Sequence, residues 1–292
     1  MSFALGTMLL AIVTALTCSL PGVFIVLRKN AMLVDAISHS VLPGIVVGYL
    51  FTQNLDSPLL ILGAAAAGLI VVLGSEWLSR TGLITGDAPQ GLIFPALFSI
   101  GVILVTLNFA NVHLDVHAVL VGDLNLAAWD QLILGGVSVG PAYLYVMLGV
   151  LLINILFLAL IYPKLKVTTF DPQFSRSLGI RTGLLNTAFM FLVSLTVTAA
   201  FHAAGAILVI ALVVVPPATA FLLSTRLEVM VALTAIIAVV GAAAGFWTAY
   251  VLDAATSAGM AVFFGLCFVV ALAAVRVRRF VRRRAVVARD RR

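Results

Sequence analysis

Long apolar runs separated by short polar breaks fill almost the whole chain. They fall at residues 3–27, 37–51, 58–78, 91–109, 132–162, 182–201, 205–223, 229–251 and 260–275. Crossing about 30 Å of hydrocarbon takes roughly 20 apolar residues in an α-helix, and most of these runs meet that length. The pattern therefore predicts an all-α, polytopic integral membrane helical bundle with eight to nine transmembrane helices. The count turns on two runs. Residues 37–51 are short and carry Pro43-Gly44, and residues 205–223 carry Pro216-Pro217. Each is a candidate structural break or re-entrant segment, of the kind tolerated where backbone lines protein or water. The first run has no positively charged start and continues through residue 27, so it reads as a retained first helix and not a signal peptide.

Composition excludes a soluble globule. Of 292 residues, 63% are hydrophobic and 10% charged, against about 25% charged and under half apolar in average soluble chains. Charge then orients the bundle. With the N-terminus outside and nine spans, all 17 Lys and Arg residues fall in inner loops or the tail, and the outer loops hold none. That asymmetry is the positive-inside signature. It places the chain in the cell (plasma or inner) membrane with a cytoplasmic C-terminus. Residues 1–275 form one transmembrane domain, and 276–292 form a basic cytoplasmic tail. That tail suits anionic lipid headgroups and not nucleic acid. Cys18 and Cys267 lie in apolar runs far apart and imply neither a disulfide framework nor a metal site. Two small-residue pairs, Gly241 with Gly245 and Ala64 with Gly68, suit close helix packing.

Chemistry concentrates in Asp35-Ala36-Ile37-Ser38-His39-Ser40-Val41-Leu42-Pro43-Gly44. Asp35 and His39 stand four apart, so on a helix they share a face one turn apart. A carboxylate beside an imidazole offers two ligands to a divalent transition metal. The competing reading is a neutralising pair between packed helices. An acid at the centre of a span costs about 2.5–3.5 kcal/mol on insertion scales, which favours a functional role. After the pair, Pro43 is expected to interrupt the helix and Gly44 to let backbone pass closely. In the loop after the fourth run, His113, Asp115 and His117 alternate, with Asp123 following. They are either outer-vestibule metal contacts or ordinary solvated polar residues. His202, at the outer end of a span, is a weaker candidate. Farther on, Asp171 suits a helix N-cap, Pro172 its first turn and Gly179 its stop. That frames a helix of about two turns with Phe174 and Leu178 on one face.

Several stretches together carry a resemblance. They are the segment from Asp35 to Gly44; Asp87-Ala88-Pro89-Gln90-Gly91; Val112 to Asp123; Asp171-Pro172-Gln173-Phe174-Ser175-Arg176-Ser177-Leu178-Gly179; Gly205 to Val209; and Pro216-Pro217-Ala218-Thr219-Ala220. In this order they resemble the manganese/zinc/iron permeases of ATP-binding-cassette (ABC) importers, over nearly the whole chain. Pro217 departs from the family pattern, where a small residue is usual. The resemblance implies the ABC importer permease type of helical bundle. Asp171, Phe174, Arg176, Leu178 and Gly179 would then form the cytoplasmic helix that couples to an ABC ATPase subunit. It also implies an extracytoplasmic metal-binding protein, a second permease chain (the same or a related one) and no permanently bound cofactor. The transported ion would be manganese, zinc or iron, held by Asp35 and His39 from each of two chains. The chain has no GxxxxGK[ST] loop, so it reads as a transporter subunit whose ATP is hydrolysed by a partner. The rival reading is an ion-coupled secondary metal transporter using Asp35 as its coupling group. A membrane-embedded metallohydrolase would need a motif such as HExxH, and the sequence has none.

Overall fold

A computed structural model describes residues 3–53, 57–84, 86–108, 124–134 and 137–290. Ten helices and two short strands occur among them: α1 (Phe3–Leu27), α2 (Ala31–Thr52), α3 (Pro58–Arg80), α4 (Ala88–Asn108), α5 (Leu124–Trp129), β1 (Gln131–Leu134), β2 (Val137–Pro141), α6 (Ala142–Phe170), α7 (Pro172–Ser177), α8 (Thr182–Leu223), α9 (Leu227–Val251) and α10 (Thr256–Asp290). Eight of these helices are long and apolar enough to cross a membrane. The chain is a multi-pass membrane protein, as the hydropathy pattern predicts.

Side-chain contacts fix the direction of each pass. At one end, the Phe3 and Trp129 rings meet at 6.0 Å, and Asn125 donates to the Thr256 hydroxyl at 2.8 Å. Tyr143 donates to the Ala199 carbonyl at 2.7 Å and stacks on His202 at 4.8 Å. At the other end, Arg28 meets Thr168, Thr169 and Asn186, and Lys166 pairs with Glu228 at 2.7 Å. A cavity at that same end is lined by Arg28, Arg80, Asp87 and Asn186. This is the basic end of the molecule.

α8 starts at the basic end with Asn186 and reaches the opposite end by His202. Continued straight, its 42 residues would extend about 63 Å, twice the hydrocarbon thickness. Val213 would then sit about 40 Å beyond Asn186. Instead the Val213 carbonyl and Pro217 ring pack against Gly22, in the last turns of α1 near Arg28. The helix therefore folds back, and the reversal lies at Gly205, whose φ of 74° and ψ of 166° break the helical series. Residues 182–204 run away from the basic end and residues 206–223 return to it. The eight long helices thus make nine passes.

The core gathers around α1 and the two limbs of α8, with Leu10, Phe24, Phe189, Leu208 and Leu212 fully buried. In a bilayer, helices associate through close packing and interhelical hydrogen bonds, because lipid removes most of the hydrophobic drive. Both devices are present. Asn154 of α6 donates to the Thr17 carbonyl of α1 at 2.9 Å and accepts from Thr196 of α8 at 3.0 Å. Gly44 and Gly63 bring the backbones of α2 and α3 together, and Gly68 packs on Ser194. Gly241 receives the Phe264 ring and Gly245 approaches Met260, joining α9 to α10.

Three expectations change. The apolar stretch 132–162 is not a single span: its first part forms the antiparallel β1–β2 hairpin, and the crossing helix begins at Ala142. Pro43 does not interrupt α2, which stays helical through Thr52; its ring fits against Gly101 of α4, where a side chain would collide. Pro216 and Pro217 also lie inside continuous helix, and the break falls at Gly205. Pro217 cannot donate to the carbonyl four residues earlier, that of Val213, and Gly22 covers this oxygen. The basic tail from residue 276 continues α10 as helix to Asp290.

Candidate functional site

α2 leaves the basic end and carries Asp35 one turn in and His39 a turn further. Asp35 Oδ1 and His39 Nε2 are 3.5 Å apart, beyond the usual 2.7–3.2 Å or so of a hydrogen bond. Neither is sealed in the core. The two side chains are 33% and 32% exposed, on a stripe of α2 that includes Met32 and Leu42. α4 supplies the aromatic wall: Phe94 stacks on the His39 imidazole at 5.2 Å, and Phe98 meets it edge-on at 6.1 Å. Phe94 and Phe98 are four apart on α4 and so face the same way. Sequence reasoning missed them because apolar residues at helical spacing look the same whether they line a site or a core.

Among the described residues, no three side chains of His, Cys, Asp or Glu gather closely enough to hold a metal ion. Of the candidate metal ligands, the described residues bring together Asp35 and His39. His113, Asp115, His117 and Asp123 lie outside the described residues. His202 sits at the far end of the bundle, stacked on Tyr143.

The second candidate region lies at the basic end. Asp171 caps α7, its carboxylate accepting from the Phe174 amide at 2.8 Å, with Pro172 next in the chain. Gly179 closes the helix at a φ of 72°, a left-handed conformation that glycine adopts without strain. The Ile180 amide reaches back to the Ser175 carbonyl at 3.2 Å. Ser175 is buried, while Phe174 and Leu178 are 52% and 55% exposed. The local structure matches the one read from Asp171 and Gly179: a short, firmly capped helix that presents two apolar side chains away from the bundle. Arg176 and Arg181, also exposed, flank it.

A nine-pass bundle with an ionisable pair inside one span and a capped, apolar-faced helix at its basic end has the architecture of a membrane-spanning transport subunit. The chain belongs to the ABC 3 transport family, whose model matches residues 1–275. It is 39% identical over 268 residues to the manganese transport system membrane protein MntD of Bacillus subtilis (strain 168), covering 92% of this chain and 90% of that one. It is 41% identical over 260 residues to the zinc transport system membrane protein TroD of Treponema pallidum (strain Nichols), covering 89% and 71%. The solved structure of PsaBC from Streptococcus pneumoniae in complex with Fab has the same fold, with a TM-score of 0.76, 23% identity, and 93% and 91% of the two chains covered. The resemblance read from the motifs is borne out: the chain is an ABC importer permease.

Proposed function

We propose that this permease imports divalent transition-metal ions and that Asp35 and His39 are its metal ligands. The observation that carries the proposal is the pair itself. Two donors each about 2.1 Å from a tetrahedral ion stand about 3.4 Å apart, close to the 3.5 Å between Asp35 Oδ1 and His39 Nε2. Manganese and zinc are favoured over iron, because the relatives above are named for those two ions. Two ligands are too few for a selective site, since zinc takes four and manganese more, with water. The open stripe of α2 suits pairing with a second permease chain about a two-fold axis, and that chain would add its own Asp and His.

In this reading the basic end is cytoplasmic, following the positive-inside rule. The ABC ATPase subunit docks on α7 through Phe174 and Leu178, and a metal-binding protein delivers the ion at the opposite end. ATP binding and hydrolysis in the partner alternate the access of the Asp35–His39 site. The test uses the permease reconstituted in proteoliposomes with its ATPase and binding protein. Uptake of Mn²⁺ or Zn²⁺ should require ATP and be lost in Asp35→Asn, which keeps the shape of the side chain and removes its charge. Normal uptake by that variant would refute the site. ATP-independent uptake by the chain alone would favour a secondary transporter.

A further inference from the structure

The residue joining these two regions is Arg28. It follows α1 directly and opens the tight turn Arg28-Lys29-Asn30 into α2, where Lys29 has a φ of 59° and the Asn30 amide bonds the Ile25 carbonyl at 3.0 Å. The Arg28 side chain does not reach for solvent or headgroups, as an arginine serving only as an orientation signal would. Its Nε donates to the Thr169 hydroxyl at 3.1 Å, one terminal nitrogen to the Asn186 carbonyl oxygen at 2.9 Å, and the other to the Thr168 hydroxyl at 3.2 Å. The guanidinium also lies 5.1 Å from the centre of the buried Phe189 ring, within cation–π range. Burial lowers its pKa to about 10, so it stays charged at neutral pH. All three hydrogen-bond partners are neutral.

The position of these partners in the chain gives the contact its meaning. Thr168 and Thr169 are in the last turn of α6, just before the Asp171 cap, and Asn186 and Phe189 are in the first turns of α8, just after Gly179. Arg28 thus grips both limbs from which α7 hangs. The α1–α2 turn also borders a cavity of about 530 Å³, which Arg28 and Asn186 line together with Lys29, Asn30, Ser75, Asp87 and Gln90. The turn is therefore clamped toward α6 and α8 and has open polar space toward α3 and α4. A displacement of α7 with its two limbs would carry the turn along, with room to move, and Asp35 lies one turn into the helix that the turn begins.

We propose that Arg28 is the positioning residue that transmits movement of the ATPase-docking helix α7 to α2, and so to the Asp35–His39 pair. In this role it acts through the α1–α2 turn and not as an ion ligand. A planar fork with fixed donor directions suits this role, and a lysine, with one flexible ammonium, cannot reproduce it. The inference rests on the function proposed above, and the experiment separates the two.

The test uses the complete transporter in proteoliposomes, with Mn²⁺ or Zn²⁺ as the ion. Three quantities are compared: metal bound per complex, ATPase retained on purification, and ions transported per ATP hydrolysed. In Arg28→Gln, Arg28→Lys and the double change Thr168→Val with Thr169→Val, the first two should match wild type. Ions moved per ATP should fall roughly two- to thirty-fold. Adding Asn186→Ala to Arg28→Gln should cause little further loss, because both act through one contact. The lysine and valine variants, which keep a charge or keep Arg28 itself, decide the matter if the glutamine variant does not fold. Unchanged ions per ATP in those variants would overturn the proposal. So would a loss that only follows reduced metal binding or ATPase attachment. If wild type shows no ATP-driven uptake, or Asp35→Asn transports normally, the underlying function fails and Arg28 is not what failed.

Discussion

Substituting alanine for glycine at two positions of the same helix should have opposite effects. Gly205 has a φ of 74° and a ψ of 166°, in a region of backbone space that is essentially restricted to glycine. Forcing an L-residue there costs about 1–3 kcal/mol. Against a total stability of roughly 5–15 kcal/mol, that shifts the folded-to-unfolded ratio at least about fivefold. Gly183, one residue into α8, is exposed helix, and a methyl group added there meets nothing within 4 Å. Gly183→Ala should therefore stabilise by roughly 0.5–1 kcal/mol, the ordinary helical difference between the two residues. The assay is the fraction of detergent-purified protein that stays monodisperse after heating through a temperature series. Gly205→Ala should lower the midpoint by several degrees, and Gly183→Ala should hold or raise it. If both variants behave alike, Gly205 is ordinary helix and α8 does not fold back there. The nine-pass arrangement would then be wrong.

Two further outcomes follow from the basic end and from the direction of the passes. Phe174→Asp, and separately Gly179→Val, should leave the permease folded in the membrane but reduce co-purification of the ATPase subunit and abolish coupled uptake; full retention of both would make α7 an ordinary loop helix. In intact cells, a membrane-impermeant maleimide should label Ala254→Cys, between α9 and α10, and spare Thr81→Cys after α3, both exposed positions; the reverse pattern would invert the topology.

The helices were legible because hydropathy alone selects them. Asp171 and Gly179 were legible because capping chemistry is local, and the α7 geometry follows from residues within a few positions of one another. The prolines were misread for the opposite reason. Pro43 stays inside a helix and packs on Gly101 of α4, and Pro217 stays inside one and packs on Gly22 of α1; neither partner is near in sequence. The reversal falls between runs 182–201 and 205–223, but the sequence does not single out Gly205 for it, because a glycine reveals its need for positive φ only once the chain on both sides is packed. Asn154 and Arg28 were overlooked as chemistry on similar grounds. A polar residue in an apolar run, or an arginine at the end of one, looks ordinary until its distant partners are in place.

The Asp35–His39 pair argues for its own incompleteness. A purely structural pair in a bilayer would be expected to close on itself, since an ionised carboxylate inside a span is disfavoured by about 2.5–3.5 kcal/mol on insertion scales. A short hydrogen bond and deep burial would be the means. The observed pair has neither, with 3.5 Å between Asp35 Oδ1 and His39 Nε2 and a third of each side chain uncovered. Nor does the rest of the described chain supply a third ligand. What α2 and α4 do supply is orientation: Phe94 and Phe98 hold the imidazole plane, and Gly44 locks α2 against α3. If the pair binds metal as proposed, the described part of the protomer fixes the direction of two donors and the rest of the coordination shell would come from what meets that face. A second chain across a two-fold axis would meet it with the same two donors, so every change in charge at Asp35 would count twice in the assembled site.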